Sequence, residues 1–170
     1  DTLITNDPDL VLEFRRQHPR VIYKSISGVR SIVKTLEDDD LARLDRIRWC
    51  PTQFQGFVEG MNVRVHTVDT EVFASAVTTD ATDYRYARQQ GGSSSLEAVE
   101  LPEELSDRCV KLARALELPF AGIDLKIAPD GQVFCFEVNP SPGFSYYQNQ
   151  TGQPIAQAVA RYLAGQRASA

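Results

Sequence analysis

The sequence has few of the residues from which several kinds of site are built. Its 170 residues include three cysteines, two histidines, one tryptophan and one methionine. Cys50, Cys109 and Cys135 are widely spaced and form no CxxC pair, which argues against a disulfide framework and a structural zinc site and suits a reducing cytoplasm. His18 and His66 form no convincing catalytic set with a serine or a cysteine.

An excess of positive charge and long apolar runs are also absent. The net charge is −5, whereas binding to a nucleic-acid backbone usually shows as clustered Lys and Arg, so we expect no nucleic-acid partner. No apolar run is long enough to cross a bilayer, and the N-terminus lacks a signal-peptide pattern, so we expect no membrane partner. With 42% hydrophobic and 24% charged residues, the composition is that of a soluble globular protein.

Hydrophobic periodicity predicts both helices and strands. Helices are expected after the Asx-Pro start at 6–8, after the acidic run 37–40, and after Pro102 and Pro154, with Leu116 and Leu163 among the inward residues of the last two. Strands are expected at 20–24, 29–36, 62–68 and 71–77. Residues 78–95 lack periodicity and end in Gly and Ser, which is typical of a mobile loop.

A turn near the C-terminus is the most informative local signal. Asp130-Gly131 lies between alternating apolar segments and predicts a β-hairpin with a two-residue loop, in which Pro129 pairs with Gln132. Counting outward from that loop gives a core face of three opposed apolar pairs: Ile127 with Phe134, Leu125 with Phe136, and Ile123 with Val138.

The other face of this hairpin is acidic. Counting places Asp124 opposite Glu137, and Asn139 opposite Gly122. Directly opposed like charges destabilise a sheet, and a cation would remove the conflict. Two carboxylates and an amide oxygen suit Mg²⁺, which commonly completes its coordination with water and substrate phosphates, so a nucleotide is the expected partner. The alternative is a solvated hairpin face on which both acids are surface charges.

These residues resemble a known family. GIDLKI followed by FEVNPSPGF is similar to the end of an ATP-grasp domain, in the branch that holds RimK-type glutamate ligases and the maturases of microviridin-like (graspetide) peptides. The resemblance covers 2 to about 163, although only the hairpin is specific by itself. It implies an α+β fold of two lobes with antiparallel sheets and the nucleotide between them: a small lobe at 1–54 and a large lobe at 55–170. It also implies that Asp124, Glu137 and Asn139 hold Mg²⁺, or Mn²⁺, against the phosphates of ATP.

The resemblance also implies a phosphate site in the first lobe. Lys24 ends an apolar strand just before a turn that contains Ser27 and Gly28. In the family a strand lysine at this place holds the α- and β-phosphates, and a glycine-rich flap follows it. The flap here, SISGVR, has a single glycine where RimK-type ligases carry several, which favours the peptide-maturase side of the branch. Without the hairpin, Lys24 would be read as an ordinary solvated lysine.

Further site residues follow from the same resemblance. The segment Gln55-Gly56-Phe57-Val58 matches the hinge whose backbone binds the adenine edge, and Gly56 replaces the usual acid there. Glu59 is a candidate for the ribose hydroxyls. Asn62-Val63-Arg64 is similar to the family's Asp-Ile-Arg, so Arg64 would stabilise the transferring phosphoryl group, unless it is a surface arginine. Arg85 would bind phosphate or the substrate carboxylate.

The implied function is an ATP-dependent ligase. Phosphoryl transfer to a carboxylate would give an acyl phosphate, which an amine or a hydroxyl attacks, and the carboxylate could belong to an amino acid or a peptide. Three alternatives stay open: an ATP-grasp kinase, a non-catalytic nucleotide-binding module, and an α/β domain with a surface hairpin. The sequence names neither the carboxylate nor the nucleophile, and it is compatible with a homo-oligomer.

The chain is expected to be part of a longer protein. It begins without Met, and it lacks the N-terminal lobe with which ATP-grasp ligases bind the acceptor and the second phosphate-binding lysine that precedes its first residue in the family. We therefore expect that missing N-terminal domain to be a partner in the same protein. Catalysis by the 170-residue chain alone is expected to be weak or absent.

Overall fold

The structure is a computed structural model that describes residues 1–26, 32–79 and 94–165. The chain divides into two compact units, Asp1–Val58 with Thr79–Ser93, and Glu59–Thr78 with Ser94–Ala170. One sheet has four strands and the other five, and helices accompany both. The expected α+β class is therefore confirmed. Within the described ranges, no helix is both long and apolar enough to cross a membrane.

The first unit is built on the four-stranded sheet, whose order is β1-β4-β2-β3 with antiparallel neighbours. Its elements are β1 (Thr2–Thr5), α1 (Pro8–Gln17), β2 (Val21–Ser25), β3 (Lys34–Thr35), α2 (Asp38–Leu41), a 3₁₀ helix (Leu44–Trp49) and β4 (Thr52–Gly56). Its core consists of five buried apolar residues, four from the helices and strands and one, Leu36, from the segment after β3: Val11, Val21, Leu36, Leu44 and Phe54.

Helix α1 begins where the sequence predicts. The Asp7 carboxylate accepts a hydrogen bond from the Asp9 N–H (2.9 Å), and Pro8 occupies the first turn, where its missing N–H costs nothing. The strand expected at 29–36 is wrong in part, because the structure places only Lys34–Thr35 in β3, and 29–31 lie outside the described residues.

The second unit contains the five-stranded sheet, in the order β7-β6-β5-β8-β9. Its elements are β5 (Met61–Val68), β6 (Glu71–Thr79), β7 (Ser94–Val99), α3 (Glu103–Ala115), β8 (Phe120–Ile127), β9 (Val133–Asn139), α4 (Ser145–Thr151) and α5 (Ile155–Leu163). Leu105 and Cys109 of α3 pack with Val63 and Val65 of β5. Tyr147 of α4 and Ile155 of α5 pack with Phe73 and Val68. Because side chains alternate along a strand, α3 and the α4–α5 pair cover opposite faces of this sheet.

Some predictions at element ends are wrong. Leu116 and Leu163 were expected inside, but they are 49% and 77% exposed. Leu116 follows the last residue of α3, and Leu163 is the last residue of α5, so neither has a full turn of helix beyond it to hold it against the core. The end of the loop predicted at 78–95 is also wrong, because β7 begins at Ser94.

The hairpin between β8 and β9 has a longer loop than predicted. The Ala128 N–H donates to the Gln132 carbonyl (2.9 Å), and the Gly131 N–H donates to the Ala128 carbonyl (2.9 Å). The expected pairing of Pro129 with Gln132 is therefore wrong, since proline has no N–H to donate to Gln132. Pro129 instead opens a three-residue loop that Gly131 closes with a φ of 84°.

A bulge in β9 compensates for the longer loop. Beyond the loop, Ile127 pairs with Val133 and Leu125 with Cys135, so both pairings with phenylalanine are wrong. The register then shifts between Asp124 and Leu125 and leaves Phe136 as the extra residue of β9. Phe136 is 43% exposed rather than in the core. After the bulge the pairs are those predicted: Asp124 with Glu137, Ile123 with Val138, and Gly122 with Asn139.

The glycine of the three-residue loop gives the first testable prediction. No atom lies within 4 Å of a Cβ built on Gly131, so a substitution there meets only the cost of its positive φ. We expect Gly131→Val to lower the free energy of unfolding by about 1–2 kcal/mol, and Gly131→Asn to lower it less, because asparagine tolerates left-handed backbone. Urea unfolding measures both. Gly143→Ala is the control, since Gly143 also has open space without a positive φ; equal losses for Val and Asn would contradict the loop assignment.

Candidate metal and nucleotide site

On one face of the second sheet, the polar side chains of the candidate site lie in three rows that run across the strands. The pairings between β6, β5, β8 and β9 define them. The first row is Ser75, Arg64, Asp124 and Glu137; the second is Phe73, His66, Gly122 and Asn139; the third is Val77, Asn62, Lys126 and Phe134. The three predicted metal ligands thus lie in two adjacent rows of neighbouring strands.

The Asp124 carboxylate lies between an acid and a base. Glu137 opposes it on β9, and Arg64 opposes it on β5. The Arg64 guanidinium donates to Oδ1 of Asp124 at 2.8 Å, and the two side chains are 7% and 24% exposed. The conflict between the two carboxylates is therefore relieved in this structure by a guanidinium of the protein itself.

Asn139 combines the predicted position with a structural role. Its Oδ1 accepts a hydrogen bond from the Ser141 N–H at 2.8 Å, which closes the turn that follows β9. The residues of the described ranges contain no cluster of three His, Cys, Asp or Glu side chains placed to hold a metal. Only two of the three candidate ligands, the carboxylates of Asp124 and Glu137, belong to those four residue types. The third is the amide of Asn139.

Gly122 leaves the space that the Arg64 side chain and the loop after β9 occupy. It lies opposite both His66 and Asn139. A Cβ at this position would overlap the Arg64 guanidinium and would lie 2.6 Å from the Cβ of Pro142. Only glycine therefore lets the Arg64 side chain and the loop after β9 approach the strand this closely.

Helix α4 contacts Arg64 through the ring of Tyr147. The Tyr147 ring centroid lies 5.6 Å from the Arg64 guanidinium carbon, within the range of a cation–π contact. The connection from α4 to α5 is fixed to β6, because Gln153 accepts from the Ser75 hydroxyl (3.1 Å) and donates to the Ala74 carbonyl (3.1 Å). Residues beyond the hairpin thus orient the central arginine.

Lys126 is a functional candidate that the sequence prediction missed. Its side chain is buried (8% exposed) and its ammonium donates to the Asn62 side-chain oxygen at 3.0 Å. It lies two residues after Asp124, so strand alternation alone places it on the same face. Buried lysines are uncommon without a partner or a function.

His66 lies in the middle row and is completely buried. Its ring lies 4.9 Å from the Tyr147 ring and 6.4 Å from the Phe120 ring, centroid to centroid. Burial, and next the charge of Arg64, lower the pKa of His66 to about 4, while the backbone of Gly143 acts in the opposite direction. The ring is therefore neutral at physiological pH and cannot serve as a cation there.

Cys109 and Cys135 are unsuited to nucleophilic chemistry. Burial raises the pKa of Cys109 to about 11 and also raises the pKa of Cys135. Both are thiols at neutral pH, and the thiolate is the reactive form.

In the first unit, Lys24 lies on the face of its sheet away from the core. Val21 and Phe54 are buried in the core, while Lys24 pairs with Gln53 on β4, and Ile22 pairs with Gln55. Alternation places the side chains of these four paired residues on the opposite face from the core. Ser27 and Gly28, which were predicted to follow Lys24 in the phosphate site, lie outside the described residues, as does Arg85.

Two backbone N–H groups of the predicted adenine-binding segment already form hydrogen bonds within the first unit. The Gly56 N–H donates to the Asp1 carbonyl (3.1 Å), and the Phe57 N–H donates to the Arg20 carbonyl (2.9 Å). The Phe57 ring lies under the guanidinium of Arg20, 3.8 Å from ring centroid to Cζ. An adenine bound here would have to use other backbone groups of the segment from Gln55 to Glu59.

Comparison with known proteins assigns the family. Residues 17–163 match the model of the RimK-like ATP-grasp domain, so the chain belongs to the RimK-like ATP-grasp family, as the sequence resemblance predicted. A probable alpha-L-glutamate ligase of Pseudomonas paraeruginosa is 31% identical over 105 residues, which are 61% of this chain and 34% of that protein. Another, of Xanthomonas euvesicatoria, is 33% identical over 113 residues, 65% of this chain and 37% of that protein.

Solved structures of ligases share the fold. The ATP-grasp ligase PsnB, complexed with a phosphomimetic variant of its minimal precursor, Mg and ADP, superimposes with a TM-score of 0.85 at 31% identity over 97% of this chain and 52% of that chain. The macrocyclase MdnC of Microcystis aeruginosa, bound with precursor peptide MdnA, gives 0.83 at 22% identity over 98% of this chain and 55% of that chain, which shows the fold alone. The chain spans about half the length of these solved relatives and about a third of the curated relatives.

The neutral state of His66 makes the stability of the fold depend on pH. The pKa of His66 is about 4 in the folded chain against 6.5 for an unperturbed histidine. The unfolded chain therefore binds more protons between these values, and stability falls as the pH drops from 6.5 towards 4. We expect His66→Phe, which cannot titrate, to gain about 2 kcal/mol relative to the wild type between pH 7 and pH 5. Urea unfolding at both pH values measures this.

Thr67→Val is the matched control for that measurement. Thr67 is also fully buried, and its hydroxyl has no hydrogen-bond partner among the described residues, but it lies on the opposite face of β5 and does not titrate. Its effect on stability should be the same at both pH values. A His66→Phe variant with an equally constant effect would show that the folded ring titrates in its ordinary range.

Proposed function

We propose that the chain is the nucleotide- and metal-binding part of an ATP-grasp ligase that joins a carboxylate to an amine or a hydroxyl. The observation that supports this best is the register of β5, β8 and β9. It sets Asp124 directly opposite Glu137 and Asn139 opposite Gly122, and it sets Arg64 against Asp124 at 2.8 Å. Two carboxylates, an amide and a guanidinium thus share one face of one sheet.

The donor set fits the metal that the family uses. Two carboxylates and an amide oxygen on adjacent strands are hard ligands suited to Mg²⁺ or Mn²⁺, and the Arg64 guanidinium already shows that the Asp124 carboxylate attracts a cation. Asp124, Glu137 and Asn139 would hold the metal. Bound there, it would neutralise charge on the phosphates of ATP.

The other proposed roles belong to cations of the chain. Lys24 would hold phosphate oxygens as a point charge, with Ser27 and Gly28 contributing to the flap. Arg64 would stabilise charge on the transferring phosphoryl group, and Arg85 would bind phosphate or the acceptor. The transfer gives ADP and an acyl phosphate; attack by the amine or hydroxyl then forms an amide or ester and releases phosphate. In these steps the side chains position the reacting groups and neutralise charge on the phosphates, and none needs to form a covalent bond.

A peptide is the carboxylate substrate that we favour. PsnB superimposes on 97% of this chain at 31% identity, and it has been solved with a precursor peptide. This likeness to a ligase solved with a peptide supports a peptide as the substrate here. The adenine would lie at Gln55 to Val58, with Glu59 near the ribose.

Binding of ADP tests the metal ligands. We expect the chain to bind ADP more tightly with Mg²⁺ than with EDTA, and Asp124→Asn, Glu137→Gln and Asn139→Ala each to weaken binding in Mg²⁺ by about tenfold or more, equivalent to about 1.4 kcal/mol. Isothermal titration calorimetry gives these constants. Glu104→Gln is the control, because Glu104 lies on α3, which covers the other face of the sheet.

Equal affinity in Mg²⁺ and EDTA, or unchanged affinity in all three variants, would contradict the metal site and favour a plain surface hairpin. Products distinguish the remaining alternatives. A ligase releases phosphate and forms an amide or ester, a kinase leaves phosphorylated product, and a binding module releases no phosphate with any carboxylate.

A further inference from the structure

Two of the three candidate metal ligands are already bound by groups of the protein itself. Oδ1 of Asp124 accepts a hydrogen bond from the Arg64 guanidinium at 2.8 Å, and Oδ1 of Asn139 accepts one from the Ser141 N–H at 2.8 Å. The third candidate, Glu137, is exposed on β9 at the edge of the sheet. A divalent ion that arrives alone would therefore meet a carboxylate already paired with a cation.

The Arg64 guanidinium is enclosed where it pairs with Asp124. The side chain is 7% exposed, and the Tyr147 ring centroid lies 5.6 Å from its Cζ. A Cβ built on Gly122 would lie 2.7 Å from that Cζ and 2.6 Å from the Cβ of Pro142, so backbone and ring atoms lie close around the charge. Moving the guanidinium away would leave a buried charge without its ion pair, which is costly.

A metal at Asp124 and the Arg64 guanidinium would repel each other. Mg²⁺ binds carboxylate oxygens at about 2 Å, so an ion on the same carboxylate would lie within about 7 Å of the guanidinium. Because Arg64 is buried, water and salt screen this repulsion little. Lys126, also buried two residues beyond Asp124 on the same face, adds to it. The free ion should therefore bind weakly.

A nucleotide changes the sign of this interaction. Its phosphate oxygens can complete the coordination of a divalent ion, and they also accept charge-assisted hydrogen bonds from a guanidinium. An anionic group between the metal and Arg64 is attracted by both. Each ligand should then strengthen the binding of the other, and such coupling is reciprocal.

We propose that Arg64 couples the metal to the nucleotide: by its ion pair with Asp124 it disfavours a free divalent ion, and the site takes up the ion together with phosphate. This inference rests on the proposed function and adds a second role to the arginine. The ligand of this face is then the complex of metal and nucleotide, and the free ion is selected against.

Binding of Mn²⁺ to the whole 170-residue chain tests the coupling. Electron paramagnetic resonance counts the free ion in the titration without nucleotide, and calorimetry gives the affinity for ADP in Mn²⁺. We expect Arg64→Met to bind free Mn²⁺ at least tenfold more tightly than the wild type, and to bind ADP in Mn²⁺ at least tenfold more weakly. Damage to the fold would weaken both, so these opposite changes identify the coupling.

Two further variants serve as controls. Arg64→Lys keeps the positive charge and should bind free Mn²⁺ as weakly as the wild type. Arg161→Met breaks another ion pair of the same unit, in which Arg161 on α5 lies 2.7 Å from Glu71. It should change neither affinity.

The outcomes separate this inference from the proposed function. Without metal-dependent binding of ADP by the wild type, the proposed function fails and the inference with it. Once that dependence is shown, equal or weaker binding of free Mn²⁺ by Arg64→Met overturns the inference alone, as does tighter binding by Arg64→Lys. If Arg64→Met does not fold even in Mn²⁺, Gly122→Ala decides, because its Cβ would displace the guanidinium. Tighter binding of free Mn²⁺ then supports the proposal, and equal or weaker binding rejects it.

Discussion

The opposition of three charged residues across β5, β8 and β9 is the constraint on which the second unit depends. Arg64, Asp124 and Glu137 are direct neighbours in that order, so the central carboxylate is repelled from one side and bound from the other. A half-buried acid between a buried guanidinium and a second acid is stable only while the positive charge remains. A metal bound at Asp124 would therefore lie beside Arg64, and the two cations would share one carboxylate.

The sequence predicted the pairing of Asp124 with Glu137 correctly, although it predicted the length of the hairpin loop wrongly. The predicted loop was one residue too short, because Pro129 cannot donate the N–H that a two-residue loop needs there. The pairing of Asp124 with Glu137 was nevertheless confirmed, because the bulge at Phe136 removes the one-residue shift that the longer loop introduces. Alternation fixes which residues share a face only as long as no bulge intervenes, and a bulge has no simple signature in this sequence.

Other parts of the site could not be predicted because they depend on packing between distant segments. The amphipathic pattern predicted α3 and α5, but α4 has a mixed sequence and is held by Phe73, Val68 and the Gln153 contacts to β6. Its Tyr147 is what places an aromatic ring against both Arg64 and His66. Likewise, Lys126 and Asn62 are 64 residues apart in sequence, and only the pairing of β5 with β8 brings them together.

The burial of Arg64 and Lys126 bears on how an acidic chain could take the anionic ligand that we propose. The net charge of −5 comes largely from acids on the surface, where water and salt screen each charge within about 10 Å. Arg64 and Lys126 are buried in the same face of the sheet, where a lower effective dielectric strengthens each interaction several-fold. On this face the two cations stand beside the carboxylates of Asp124 and Glu137, so the local charges balance, and local placement rather than total charge decides what this face can bind.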